Sequence, residues 1–267
     1  DERGPTSWEI HRYPFAGEDN PKVKLGVVSF DGVLKWLHTE KYEYIVRVDW
    51  LEGHRLAVQC QNREQTCLDL LIFDADMEIQ HELSIERSDY WINISDSYCY
   101  VGEESMIWSS ERDGWRHLYM YDFNEMEPRQ ITRGKWQVDE LLSLDEDSGV
   151  LFFSASKESP LEKHVYVISL QGGFPRKLTL SSGIHNAVIS PNFDLFVDSH
   201  HSLHKSPSST VRFLNGLSKS TPVYKEEDER ASKFALSPPE ITTIQAPSGE
   251  TLFGAVYKPG EQFGEGP

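Results

Sequence analysis

The chain has 267 residues, 43 acidic and 26 basic, for a formal charge of −17, and 38% of its residues are hydrophobic. That is ample for a core in one large or two smaller domains. The acidic balance and the lack of clustered Lys and Arg exclude a phosphate-binding surface, so no nucleic-acid partner is expected.

No apolar run approaches the roughly 18 residues that span a bilayer, so no membrane partner is expected either. The N-terminal "DERGPTSWEI" lacks the basic-then-apolar order of a signal peptide, which leaves the compartment open between cytoplasm and bacterial periplasm. Three cysteines are too few for a disulfide scaffold and lack the paired spacing of a zinc site. Cys60 and Cys67 flank "QNREQT", and a tight hairpin centred on Arg63 and Glu64 would set them directly opposite each other. Directly opposed positions fit disulfide geometry poorly, so two reduced thiols are expected.

In chain order, short runs rich in Val, Ile, Leu, Tyr, Phe and Trp recur between Gly, Asn, Asp and Pro, and no long stretch keeps a 3.6-residue apolar period. This reads as all-β. The runs repeat: His117 matches His164, Pro128 matches Pro175 and Thr132 matches Thr179, each at an offset of 47 residues. An earlier copy places Leu71 47 residues before Leu118 and Leu83 48 before Ile131. Repeats of roughly 40–50 residues holding four strands each are the signature of a β-propeller, whose sheets bury their faces against their neighbours.

"KVKLGVVSF" reads as the end of one blade, and four units then start near Tyr44, Tyr90, Gln137 and His185. The predicted fold is a partial β-propeller of about four four-stranded antiparallel blades over residues 44–235. Half a propeller leaves blade faces uncovered, so exposed apolar surface is expected, relieved by homo-oligomerisation or by further chain.

"SSERDGWRHLYMYDF", residues 109–123, gathers Ser, Glu, Arg, Asp and His as an active site would. The repeat frame puts it instead between the second and third strands of a blade. Asp113-Gly114 supplies the turn, Trp115, Leu118 and Tyr119 fill space between blades, and Glu111 and Arg112 pair with each other or with a neighbouring blade. A unique catalytic base has no reason to recur, as His117 does at His164.

"DSHHSLHK" offers Asp198, His200 and His204 on one face of a strand for zinc or nickel. The simpler reading, solvated histidines where a strand runs out into the polar loop "KSPSST", is preferred, so no metal and no cofactor is expected. "VYKEEDERASKFALSPPE" then has the composition of a linker. The domain boundary falls near Pro238, dividing the chain into residues 1–237, a substrate-gating propeller portion, and 238–267, a linker and the start of another domain.

The segments "HRYPFAGEDNPKVKLGVV", "VQCQNREQTCLDLLIFDAD", "SDYWINISD", "WSSERDGWRHLY", "ITRGKWQVDEL" and "SPLEKHVYVISL" resemble the central propeller of the dipeptidyl peptidase IV family, within the prolyl oligopeptidase clan. Together they cover most of residues 11–200. "PPEITTIQAPSGETLFGAVYKP" resembles that family's entry into its α/β-hydrolase domain. "YWINISD" and "SPNFDLFVDSH" are similar both to bacterial members and to the dipeptidyl peptidases 8 and 9 of animals.

The resemblance implies a serine-type peptidase that releases N-terminal X-Pro dipeptides, with peptides of penultimate proline and a downstream hydrolase domain as partners. It assigns no catalytic residue here. The family's G-x-S-x-G-type elbow occurs nowhere in residues 1–267. Its paired glutamates are not matched by Glu2 and Glu9, by Glu103-Glu104 or by Glu226-Glu227. The chain alone is therefore expected to be inactive.

The resemblance does map the extended substrate subsites onto Asn93, Ser95 and Asp96. Against this stands a structural reading in which Trp91 packs between blades while Asn93 and Asp96 satisfy turn backbone. Asn93-Ile94-Ser95 also spells a glycosylation sequon, a short match expected by chance on an inward-facing strand. The alternative function is a stand-alone β-propeller interaction module.

Overall fold

The computed structural model describes residues 13–125, 127–215, 220–226 and 237–258. Glu2, Glu9, the "HR" before Tyr13 and most of the linker lie outside the described residues. Residue contacts divide the chain into two compact units. One runs to Ile94 and takes in Gly102–Glu104 and the stretch from Phe123. The other consists of Ser95–Val101, Ser105–Asp122 and the residues from Glu127 onward.

The fold is all-β. Among the described residues the only helical segment is one 3-10 turn, Glu52–His54, and no helix is long and apolar enough to cross a membrane. A short pair, β1 (Gly26–Val28) and β2 (Leu34–Trp36), precedes four four-stranded antiparallel sheets. The first contains β3 (Tyr44–Leu51), β4 (Arg55–Gln61), β5 (Cys67–Phe73) and β6 (Ile79–Arg87). The second contains β7 (Tyr98–Val101), β8 (Ser105–Ser110), β9 (His117–Asp122) and β10 (Arg129–Gln130).

The third sheet contains β11 (Val138–Asp145), β12 (Val150–Ala155), β13 (His164–Ser169) and β14 (Arg176–Lys177). The fourth contains β15 (Ile184–Ile189), β16 (Leu195–Ser202), β17 (Lys205–Phe213) and β18 (Ser220–Lys225). In each sheet the strands pair in sequence order, as an up-and-down meander joined by tight turns does. A hairpin of β19 (Glu240–Gln245) and β20 (Thr251–Val256) closes the described chain.

Alternate side chains of one strand serve different cores. On β12, Leu151, Phe153 and Ala155 join Ile107, Leu118 and Val138 in one cluster. Phe152, between them in sequence, packs with Val165, Leu178 and Phe196 in another. A ladder of rings, Trp136 on Phe153 at 6.3 Å and Phe153 on Tyr166 at 5.6 Å, runs through the first cluster. In the other unit, Leu37, Val58, Leu71 and Phe73 form a separate core. Val28, Phe30 and Trp36 in that unit, and Val188 and Val223 in the other, carry exposed apolar surface.

Several details differ from expectation. The second sheet begins at Tyr98 rather than Tyr90, because residues 88–97 form a connection anchored by its own backbone bonds. Ser88 N–H donates to Thr66 O at 2.9 Å and Ile92 N–H to Gln65 O at 3.0 Å. The β4–β5 register is shifted as well, so Cys60 faces Asp69 rather than Cys67. Asn62 Oδ1 accepts from Thr66 N–H and Cys67 N–H at 3.0 and 2.9 Å, which closes a longer turn. All three cysteines are free thiols. Burial pushes the Cys60 and Cys99 thiols up to about 12, so both stay protonated.

"KSPSST" is not a loop. A two-residue turn at Leu203 and His204 returns the chain into β17, with Ser202 paired to Lys205.

Phe153 is fully buried and Phe174 fully exposed. Phe153→Ala is expected to cost about 3–5 kcal/mol in urea unfolding, and Phe174→Ala less than about 0.5 kcal/mol.

Candidate functional site

The 109–123 stretch lies, as its repeat position requires, at the β8–β9 connection. Gly114 has φ 91°, the left-handed value that the turn needs. Leu118 and Tyr119 are buried, but Trp115 is substantially exposed and does not fill an inter-blade space. Glu111 pairs with Arg116 at 2.9 Å rather than with Arg112. Arg112 instead lies over the rings of Tyr119 and Tyr121 and donates from Nε to Ser110 Oγ at 2.8 Å. Planar guanidinium on aromatic faces suits arginine, and this one stiffens the turn.

His117 is buried. Its Nε2 lies 2.9 Å from Gly134 O and its Nδ1 3.1 Å from Thr132 Oγ1. A carbonyl can only accept, so Nε2 carries the proton and Nδ1 accepts from the threonine hydroxyl. That hydroxyl in turn accepts Leu118 N–H at 2.9 Å. The next repeat copies the device: His164 Nδ1 meets Thr179 Oγ1 at 3.0 Å, and Thr179 Oγ1 accepts Val165 N–H at 3.1 Å. The repeated His and Thr satisfy one another and the strand end, leaving no imidazole lone pair to act as a base on a substrate.

"DSHHSLHK" divides by depth. His201 and His204 are exposed, whereas Asp198 and His200 are buried, contrary to the solvated reading. Asp198 Oδ1 lies 2.7 Å from His185 Nδ1, and Asp198 Oδ2 accepts Arg212 Nε–H at 2.7 Å. Burial would raise the Asp198 carboxyl, but the bonds and charges of His185 and Arg212 outweigh it and hold the group below its ordinary value. His204 sits in the turn beyond the strand, so no shared metal-binding face forms from Asp198, His200 and His204. A His–Asp pair at this spacing resembles part of a catalytic triad. Here it is sealed: neither side chain has exposed surface, and His185 Nε2 meets Ser181 O at 2.8 Å, where a nucleophile would have to sit.

The candidate substrate segment is also mixed. Asn93 is exposed on an extended stretch outside any strand, not on an inward-facing strand as the sequon reading assumed. Trp91 is 57% exposed, so it does not pack between blades. Tyr90 N–H and Trp91 N–H both donate to Ser88 Oγ at 3.2 Å. Ser95 points inward, its Oγ 2.6 Å from Ser109 Oγ and accepting Ser97 N–H at 3.1 Å. Ser97 Oγ accepts Leu141 N–H at 3.2 Å, while Asp96 between them is exposed. The Ser109 and Ser97 anchors carry no signal in the sequence, because single hydroxyl contacts set no periodic pattern. Glu103 and Glu104 lie in the β7–β8 turn, and Glu104 binds Arg55 at 2.9 Å.

A family model described as "Dipeptidyl peptidase IV (DPP IV) N-terminal region" matches residues 1–207. The chain belongs to this family. Human dipeptidyl peptidase 8 is 26% identical over 325 residues, covering 93% of this chain and 36% of that protein. A probable dipeptidyl peptidase 4 of Aspergillus fumigatus is 26% identical over 261 residues, covering 90% and 34%. The crystal structure of Porphyromonas gingivalis dipeptidyl peptidase 4 superposes with a TM-score of 0.79 at 26% identity, covering 93% of this chain and 36% of that one. The chain thus spans about a third of the length of these relatives. The four sheets are the propeller portion of the dipeptidyl peptidase IV N-terminal region, and the 47-residue repeat is its blade repeat.

Thr179→Val removes the acceptor of a buried N–H and is expected to cost about 1–3 kcal/mol in urea unfolding, whereas Thr179→Ser retains most of the stability.

Proposed function

We propose that this chain is the propeller portion of a serine-type dipeptidyl peptidase that releases N-terminal X-Pro dipeptides, the propeller restricting access and presenting the substrate. The observation that carries this reading is the family match over residues 1–207, together with relatives named dipeptidyl peptidases of which the chain spans 36%. The division into a propeller portion, residues 1–237, and a hydrolase entry, residues 238–267, rests on the change from four-stranded sheets to the isolated β19–β20 hairpin. That hairpin leaves Ile244, Leu252 and Phe253 exposed, as a hairpin awaiting a larger sheet would. The exposed Val188 and Val223 favour cover by further chain or by a second copy.

Within this reading the substrate-facing segment is Asn93, Ser95 and Asp96, and exposed Asp96 makes the side-chain contact. Ser95 contributes by holding the segment, since its hydroxyl is engaged with Ser109. Acyl transfer needs an activated nucleophile and an oxyanion hole. The sealed His185–Asp198 pair supplies neither.

The purified chain is expected to be inert toward Ala-Pro and Gly-Pro chromogenic substrates, while the longer polypeptide turns them over. Asp96→Ala in that polypeptide should raise KM several-fold for longer peptides and leave kcat within about twofold, as loss of a contact remote from the reacting carbonyl does. Turnover by the purified chain, or an unchanged KM in the variant, would count against the respective part of the reading.

A further inference from the structure

Where the third and fourth sheets meet, three imidazoles stack face to face. His164 and His185 have ring centroids 5.2 Å apart at 29°, and His185 and His200 4.4 Å apart at 24°. All three are buried. The groups facing them come from every packed element. His164 on β13 meets Thr179 Oγ1 at 3.0 Å and Glu162 Oε2 at 2.9 Å, with Lys177 of β14 nearby. His185 on β15 meets Asp198 of β16, which Arg212 of β17 also binds. His200 Nε2 donates to Ser182 O at 3.0 Å. Lys163, next to His164, is held outside the stack by Asp139 of β11 at 2.9 Å.

Hydrogen-bond geometry sets how many protons the stack can hold. Both nitrogens of His185 face acceptors, a carboxylate and the Ser181 carbonyl, so this ring donates twice and is the imidazolium whose charge Asp198 balances. His164 differs. Its Nδ1 accepts from Thr179, whose oxygen already accepts Val165 N–H, so a proton on Nδ1 would displace the hydroxyl hydrogen from its only acceptor in this arrangement. It would also set a second cation beside His185 in a buried site.

The stack borders the backbone seam between these sheets. His185 N–H donates to Lys163 O at 2.9 Å and Lys163 N–H to Gly183 O at 3.1 Å, a parallel bridge between otherwise antiparallel sheets. Gly183, at φ +130°, lets the chain pass so close to His200 Nε2 that a Cβ would stand 2.9 Å from it. Glu162, Ser182, Gly183, His201, Leu203 and Ile241 line a cleft of about 470 Å³ on the outer side of the seam.

We propose that the His164–His185–His200 stack is a pH-sensitive latch on this seam, closed while the stack holds one cationic ring and released when His164 takes up a proton, leaves the stack and frees Glu162 into the cleft. Burial, with the Lys177 and His185 charges, holds His164 below the usual imidazole range, Glu162 opposing but not cancelling this. The open state therefore binds the proton more tightly than the closed one. The latch is at full strength above the free imidazole value of about 6.5 and weakens as pH falls below it.

Hydrogen exchange of the purified protein, corrected for the intrinsic rate at each pH, reads the seam directly at the Lys163 and His185 amides. Between about pH 7.5 and 5.5 their protection should fall at least several-fold, while that of Phe153 in the neighbouring core holds. His164→Asn, which keeps an acceptor toward Thr179 but cannot take the proton, should abolish that fall, and exposed His201→Asn should leave it intact. Glu162→Gln, which removes the one carboxylate favouring protonated His164, should steepen it. If His164→Asn does not fold, the wild-type and Glu162→Gln profiles decide. A pH-independent seam, or a fall unchanged in either the His164 or the Glu162 variant, overturns the latch.

Discussion

The structure depends on one constraint: a sheet apolar on both faces has to lie between two neighbours. β12 shows it most clearly, with Phe153 in one core and Phe152 in the next. The free energy lies mostly in these layers, since each fully buried aromatic or aliphatic side chain contributes about 1.5–3 kcal/mol relative to exposure. A single four-stranded sheet of this composition would expose as much apolar surface as it hides, so the 47-residue unit has stability only in company.

Polar side chains inside such layers follow from the same constraint. Water cannot reach them, so each that goes unpaired costs a few kcal/mol. The histidine at the start of the third strand in two successive sheets solves this with a threonine fifteen residues on, which also takes the first free N–H of the strand. In the fourth sheet a different position, His185 on the first strand, is satisfied by Asp198, which Arg212 also binds. The residues that look most like chemistry are the ones most deeply committed to packing.

Much of this was legible in the sequence. The constant spacing of His117 and His164, Pro128 and Pro175, Thr132 and Thr179 identifies the unit, because one supersecondary module repeated at one length places equivalent residues at equal intervals. Less legible were features set by a single local bond. Asn62 caps its own turn and shifts Cys60 away from Cys67, and Ser88 gathers two backbone N–H groups and delays the second sheet to Tyr98. His200 and Asp198 read as a polar strand end, since nothing in "DSHHSLHK" shows that Arg212, fourteen residues further, folds back onto Asp198. In the candidate substrate segment, exposure of Asn93 and Asp96 was compatible with the pattern, but the inward turn of Ser95 depends on Ser109 and carries no signature.

The central claim is that the repeated imidazoles are structural and take no part in the proposed peptidase chemistry. The most direct test is His117→Asn placed in the proposed longer peptidase, with thermal unfolding and kcat per folded molecule measured on the same preparation. The account predicts a melting temperature lowered by several degrees, as loss of a buried hydrogen-bonded pair produces, with kcat within about twofold of wild type. A kcat reduced a hundredfold or more at an unchanged melting temperature would contradict it.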